Sequence, residues 1–232
     1  INGTKNWITN GTTADLYLVM AQTDRDKKHK GITCFIVERD RAGFEPGLKE
    51  DKLGIRSSDT CSIGLTNVTV PPENILGEAG RGFNIAMEVL NGGRIGIAAQ
   101  ALGIAQGAFE RALEYSTQRK AFGKPIADLQ AIQFKLAEMS VKIEASRLMI
   151  LRAATMKDKH ERFVKEAAQA KLLASKTAVE VTLEAIQIHG GYGYVREYHV
   201  ERMLRDAKIT EIYEGTSEIQ HIVIARELIK AL

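Results

Sequence analysis

Between Asp128 and Met156 the chain reads DLQAIQFKLAEMSVKIEASRLMILRAATM. Apolar or small side chains recur at Leu129, Ile132, Leu136, Met139, Ile143, Ser146, Ile150 and Ala153, in alternating steps of three and four that align them on one helix face. The spacing predicts one long amphipathic helix with Asp128 as its N-cap. Outward from it, Phe83 to Thr117 lacks proline and is rich in Ala, Ile and Leu, with a break expected at Asn91-Gly92-Gly93. Val164 to Ile188 reads as a further helix, closed at Gly190-Gly191, where glycine supplies the left-handed turn that ends helices. A last helix is expected from about Ser217 to the C-terminus. Long helices joined by short loops predict an antiparallel bundle. At about 1.5 Å per residue the longer ones span on the order of 40 Å, and that surplus apolar length predicts association with further copies of the chain.

The first third has a different texture. Leu16 to Ala21 and Ile32 to Val37 are short runs rich in β-branched and aromatic residues, separated by the charged loop Asp24 to Lys30. Asn2-Gly3 and Asn10-Gly11 bracket Thr4 to Thr9 and predict a strand between two hairpin turns. Gly43, Pro46, Gly54 and Pro71-Pro72 punctuate further short segments as far as Leu76. The fold class expected is α+β, mainly α. A partial antiparallel β domain over 1–76 precedes an antiparallel four-helix bundle over 77–232. Because the chain opens on Ile1 inside a strand pattern, these residues are expected to follow an upstream portion of a longer polypeptide.

Composition narrows the function classes. The 232 residues are 44% hydrophobic and 26% charged, which predicts a folded, water-soluble domain rather than a disordered one. Thirty-two basic against twenty-nine acidic residues leave +3, and the basic residues are scattered, so no nucleic-acid surface is expected. Cys34 and Cys61 have no CxxC spacing and fit a reducing compartment. No apolar run reaches the ~18 residues of a membrane helix, so no membrane partner is expected. His29, His160, His189, His199 and His221 show no ligand spacing, and no metal is expected. No GxGxxG follows a strand, which disfavours a Rossmann nucleotide site. Read from the residues alone, Glu214-Gly215-Thr216-Ser217 is a loop entering a helix with Thr216 or Ser217 as cap.

Longer motifs say more. Gln187-Ile188-His189-Gly190-Gly191-Tyr192-Gly193-Tyr194, Arg205-Asp206-Ala207-Lys208-Ile209 and Ile212-Tyr213-Glu214-Gly215-Thr216-Ser217-Glu218-Ile219-Gln220 stand near the end. With Trp7-Ile8-Thr9-Asn10 and Arg119-Lys120-Ala121-Phe122-Gly123-Lys124-Pro125, they resemble the acyl-CoA dehydrogenase family, most closely its short-chain (butyryl-CoA) branch. The resemblance covers essentially the whole chain. It implies FAD-dependent α,β-dehydrogenation of a short-chain acyl-CoA thioester to the trans-2-enoyl-CoA. Electrons would pass to electron-transfer flavoprotein, in a homotetramer built as a dimer of dimers, within a bacterial cytoplasm or mitochondrial matrix. It also implies that an N-terminal helical domain belongs before Ile1, so that residues 1–232 alone are expected to be inactive.

By that resemblance Glu214 is the catalytic base, its backbone N–H one donor to the thioester oxygen. In isovaleryl and long-chain relatives the base lies on an earlier helix, just before an arginine that Arg94 resembles; here that position is Gly93, which carries no acid. Arg94 and Asn91, with Gly215, resemble substrate contacts. Trp7 and Thr9 resemble residues beside the flavin ring. Arg119, Phe122, Gln130, Gln187, Gly190 and Gly191 resemble contacts to the dinucleotide, Arg119 reaching the pyrophosphate across a subunit boundary, and Thr216 and Glu218 resemble further flavin contacts. An acyl-CoA oxidase would use the same base and flavin, and oxygen consumption with peroxide release distinguishes it. A DNA-repair-associated flavoprotein and a non-catalytic assembly protein share the fold; the near-neutral charge and intact Glu214 motif argue against the former, and absence of flavin colour would favour the latter.

Overall fold

The computed structural model describes residues 1–230 and 232. They form two compact units, Ile1–Val89 and Leu90–Leu232.

The first unit contains β1 (Gly3–Thr9), β2 (Leu16–Gln22), β3 (Ile32–Glu38), β4 (Phe44–Pro46) and β5 (Thr60–Leu65). β2 and β3 pair antiparallel without interruption, from Leu16 opposite Glu38 to Gln22 opposite Ile32. β1, β5 and β4 form a second antiparallel sheet in that order. Strand alternation buries Tyr17 and Val19 from β2 and Cys61, Ile63 and Leu65 from β5, and these pack with Val37, Phe44 and Val68. The expected Asn10-Gly11 hairpin is absent, because β1 and β2 lie in different sheets. Asn10 takes a left-handed φ of 58°, and Thr13 and Ala14 donate back to its carbonyl, so the turn redirects the chain rather than reversing it. A Cβ at Gly11 would lie 2.5 Å from Cys61 Sγ; the glycine lets this turn lie flat on β5.

β1 is itself irregular. Its register jumps from Lys5 opposite Ile63 to Ile8 opposite Cys61, three steps against two. That extra residue is a bulge, and within it Trp7 adopts a φ of 59° and leaves its indole 73% exposed.

In the helical part α1 (Gly82–Gln118) begins in the first unit and continues into the second, followed by a ribbon of β6 (Lys120–Ala121) and β7 (Lys124–Pro125). Then come α2 (Gln130–Asp158), α3 (Val164–His189), α4 (Val200–Lys208) and α5 (Ser217–Ile229). α3 packs against α2, α4 and α5. Their shared core is built mostly from alanine: α1 contributes Ala98, Ala101, Ala105, Ala108 and Ala112, and α3 contributes Ala170, Ala174, Ala178 and Ala185. α2 contributes Met139, Ile143, Ile150 and Ala153, on the face its periodicity predicts. Chains this small at the contacts let helix backbones approach closely.

Three readings of the helical part also need correction. α1 runs unbroken through Asn91-Gly92-Gly93, although each helical glycine costs about 1 kcal/mol relative to alanine. Asp128 is not a cap: it ends a single 3-10 turn, Ile126–Asp128, and α2 is capped by the extended backbone of Leu129, whose side chain is drawn onto the core. α4 has no counterpart in the sequence reading, since its nine charge-rich residues bury only Val200 and Ala207. Among the described residues no helix is long and apolar enough to cross a membrane.

Candidate active site

The second unit buries polar side chains where a bundle would ordinarily place apolar ones, and Arg94, Lys171, Thr210 and Gln220 are among them, around the connection from α4 to α5. After a 3-10 turn, Ile209–Glu211, the backbone turns left-handed at Glu214 (φ 54°) and Gly215 (φ 90°) before Thr216 caps α5, its hydroxyl accepting from the Ile219 amide at 3.4 Å. A glutamate in that region is strained by about 1–2 kcal/mol and needs outside support. The support is specific. Lys171 of α3 donates its ammonium to the Gly215 carbonyl at 2.8 Å, and Gln220 Nε2 lies 2.8 Å from the same oxygen and 3.2 Å from the Glu214 carbonyl. Both side chains are fully buried. Tyr213 is tied to α1 by a hydrogen bond from its hydroxyl to Gln100.

The Glu214 carboxylate lies against Gly93 of α1. A Cβ there would stand 2.5 Å from Oε2 and 3.0 Å from Cδ, so only glycine leaves room for the acid in this position. This accounts for Gly93 inside α1. Oε2 is buried and accepts no hydrogen bond from any described residue. Beside it Arg94 is buried, donates Nη1 to Asn91 Oδ1 at 2.7 Å, and leaves Nε without a described acceptor. Burial pushes the proton affinity of Glu214 up, while the positive charges of Arg94 and Lys171 pull it back. Burial also draws Lys171 down to about 8. A buried carboxylate with an unsatisfied oxygen and raised proton affinity is what abstraction of a weakly acidic proton requires. Among the described residues no group accepts from the Glu214 backbone N–H.

A second feature lies at the other end of α3. Tyr115, Arg119, Ile126, Ile188, His189 and the Gly190–Tyr192 turn line an open groove of about 470 Å³. Tyr115 stacks on His189 at 4.3 Å, and the Arg119 guanidinium lies 5.6 Å from the Tyr192 ring centre. Burial lowers the basicity of His189, whose Nδ1 is 2.7 Å from the Ala185 carbonyl. Nothing lies within 4 Å of a Cβ built at Gly190 or Gly191, and Arg119 joins no ion pair among the described residues. Aromatic walls, open backbone and a free guanidinium suit a flat heterocycle joined to phosphate.

Of the residues proposed from the sequence, Glu214, Gly215, Asn91, Arg94 and Thr216 come together at the first site. Glu218 stands in the first turn of α5, where bonds from its own backbone N–H and from Thr216 hold its carboxyl below the ordinary range. Arg119, Gly190 and Gly191 share the groove. Phe122, left-handed at φ 52° in the β6–β7 turn, is exposed, as are Gln130 and Gln187, and none of these three lines the groove. Trp7 and Thr9 belong to the other unit. Lys171 and Gln220 escaped the sequence reading. Lys171 had a legible signal, because it interrupts the stripe Ala167, Ala170, Ala174, Ala178 with a charge.

Comparison with known proteins follows the same division. Residues 80–229 match the model of the acyl-CoA dehydrogenase C-terminal domain and residues 1–68 that of the acyl-CoA dehydrogenase middle domain. The chain is 54% identical over 230 residues to the short-chain-specific acyl-CoA dehydrogenase of Megasphaera elsdenii, covering 99% of this chain and 60% of that protein. The solved butyryl-CoA dehydrogenase from the same organism superposes with a TM-score of 0.97 at 54% identity, over 98% of this chain and 60% of that one. A structure reported for the electron transferring flavoprotein of Acidaminococcus fermentans, in work on flavin-based electron bifurcation, matches with a TM-score of 0.97 at 49% identity, over 99% of this chain and 60% of that one. The chain thus spans about 60% of the length of such relatives.

Proposed function

Since the chain belongs to the acyl-CoA dehydrogenase family, we propose that it serves the FAD-dependent α,β-dehydrogenation of short-chain acyl-CoA thioesters to trans-2-enoyl-CoA, with electrons passed to an electron-transfer flavoprotein. The observation that carries this reading is the Glu214 carboxylate, buried against Gly93 with Oε2 unsatisfied. Residues 1–76 are taken as the latter part of the family's middle β domain and 77–232 as its helical bundle domain.

In this reading Glu214 removes the α-proton onto its carboxylate, which burial has made a stronger base than an exposed acid. Its own backbone N–H, with no described acceptor, is placed to donate to the thioester oxygen as negative charge builds there. Arg94, fixed by Asn91, holds substrate near the base. FAD, when bound, supplies the acceptor for the β-hydride. The residues fit it: the groove offers aromatic walls and bare glycine backbone for the adenine portion, and Arg119 offers a bidentate cation for the pyrophosphate. Trp7, turned out by its bulge, and Thr9 are assigned to the flavin ring, and Thr216 and Glu218 to the same cofactor; Phe122, Gln130 and Gln187 are assigned to the dinucleotide. The assembly proposed is a homotetramer.

The test is anaerobic addition of butyryl-CoA to the native-length, flavin-loaded protein. Bleaching of the flavin absorbance is expected, and Glu214→Gln should bind flavin yet slow bleaching by at least ~10²–10⁴. Near-normal bleaching by that variant would refute the assignment of the base.

A further inference from the structure

Lys171 is the largest fully buried side chain, and its ammonium has a single described acceptor, the neutral Gly215 carbonyl at 2.8 Å. An ammonium can donate three hydrogen bonds, and burying one against one carbonyl is unfavourable compared with a methionine of similar length. Packing alone therefore does not account for a lysine here. The surroundings do. Around the Glu214 carboxylate, α1 presents Arg94, α3 presents Lys171 and the loop presents Tyr213, while Lys171 is itself faced by Glu211 on the preceding turn and Glu218 of α5. Arg226 of α5 faces Arg94, and Lys157 of α2 lies beside Gly92.

Resting on the reading of Glu214 as the base, we infer that Lys171 is its positioning residue. Through the Gly215 carbonyl it fixes the left-handed Glu214–Gly215 pair, and it supplies the second buried positive charge that keeps the carboxylate ionised before proton uptake. Arg94 shares the electrostatic part, but Arg94 touches neither backbone carbonyl of the pair, so the geometric part falls to Lys171 with Gln220. The direction agrees with the raised proton affinity of Glu214, which the two cations moderate.

The experiment is a direct titration of the Glu214 carboxyl in the native-length protein. The protein is labelled with 13C at glutamate Cδ, and the Glu214 resonance is identified by its loss in Glu214→Gln. Lys171→Met removes charge and donor while keeping length, Lys171→Gln keeps a donor without charge, and Lys171→Arg keeps both. In Lys171→Met the Glu214 midpoint should rise by about one pH unit or more, tenfold in proton affinity. Lys171→Arg should stay within about a third of a unit of the parent. The acid limb of kcat/KM for butyryl-CoA should move by the same amount, with kcat falling more than KM rises. If Lys171→Met does not fold, Lys171→Gln carries the same comparison. An unchanged midpoint in a folded, uncharged variant overturns the inference, and so does an equal displacement in Lys171→Arg, which would mark mere disruption. A displaced midpoint in protein that never turns over butyryl-CoA would uphold the Lys171–Glu214 coupling and sink the dehydrogenase reading, so the two failures are distinct.

Discussion

Gly93→Ala should separate stability from catalysis in this protein. The added Cβ would stand 2.5 Å from Glu214 Oε2, and ordinary contact begins at 3.4 Å, so the oxygen must retreat by about 0.9 Å. The obstructing atoms belong to the end of a flexible side chain, not to backbone, so the carboxylate can swing away at little cost to the fold. Against that small penalty stands the gain of replacing a mid-helix glycine by alanine, up to about 1 kcal/mol. The net expectation is an unchanged or slightly higher melting temperature, at about 2–4 °C per kcal/mol for a protein of this size class. Catalysis responds differently, because a displacement of about 1 Å in a reacting group costs on the order of 10²-fold, near 2.7 kcal/mol of barrier. The assay pairs a thermal melt with kcat for butyryl-CoA in native-length protein. Gly96→Ala is the control on the same helix: a Cβ there meets nothing within 4 Å, so it should show the helix gain and full activity. If Gly93→Ala keeps kcat within about threefold, or if its melting temperature collapses, the reasoning that this glycine exists to seat the base is wrong.

Arg119→Ala should weaken flavin retention by on the order of ten- to a hundredfold, the worth of a charge-assisted hydrogen bond, and loosen the oligomer with it; the flavin-to-protein absorbance ratio and the elution volume on gel filtration check both, and no change in either would leave Arg119 a surface charge. Lys171 gives a pH prediction with a definite sign. Its folded pKa of about 8 lies below the ordinary value of 10.5, so the unfolded chain binds more protons between these limits, and stability rises as pH climbs from 8 to 10.5, by at most about 3 kcal/mol, and is lost again as pH falls back through 8. Denaturant melts across that window should show the rise in the parent and not in Lys171→Met; equal slopes in the two would show that the ammonium is not held in a low-dielectric site.

How much of this was legible in the sequence depended on whether the signal was local. α2 announced itself by periodicity, since its buried face is continuous, and α3 by the glycines that close it. The break expected in α1 failed for a non-local reason: Asn91-Gly92-Gly93 has the chemistry of a turn, but a glutamate far along the chain needs the space that a glycine leaves. α4 was invisible because nine residues with two buried side chains carry no pattern, and its entry is set by His199 at a left-handed φ of 58°. Trp7 read as an ordinary strand residue, since its outward turn arises from a register mismatch with β5 that only the paired sheet reveals. At the candidate site Glu214 stood out only through the likeness of its motif, whereas the charge of Lys171 on an alanine stripe was readable from spacing.

The alanine interior of the bundle leaves it with lopsided mutational tolerance. At Ala98, Ala101, Ala105, Ala108 and Ala112 of α1 and Ala170, Ala174, Ala178 and Ala185 of α3 there is almost nothing to truncate, and each added methylene strains the packing at about 1–3 kcal/mol. A comprehensive substitution survey would find deletions of volume harmful chiefly at Ile126, Met139, Ile143, Ile150, Val181, Ile188 and Val200, and enlargements harmful at the alanines of that interior. Variation that respects the fold is thereby steered to the outer faces of the helices, and an engineer seeking a sturdier bundle would begin on its surface.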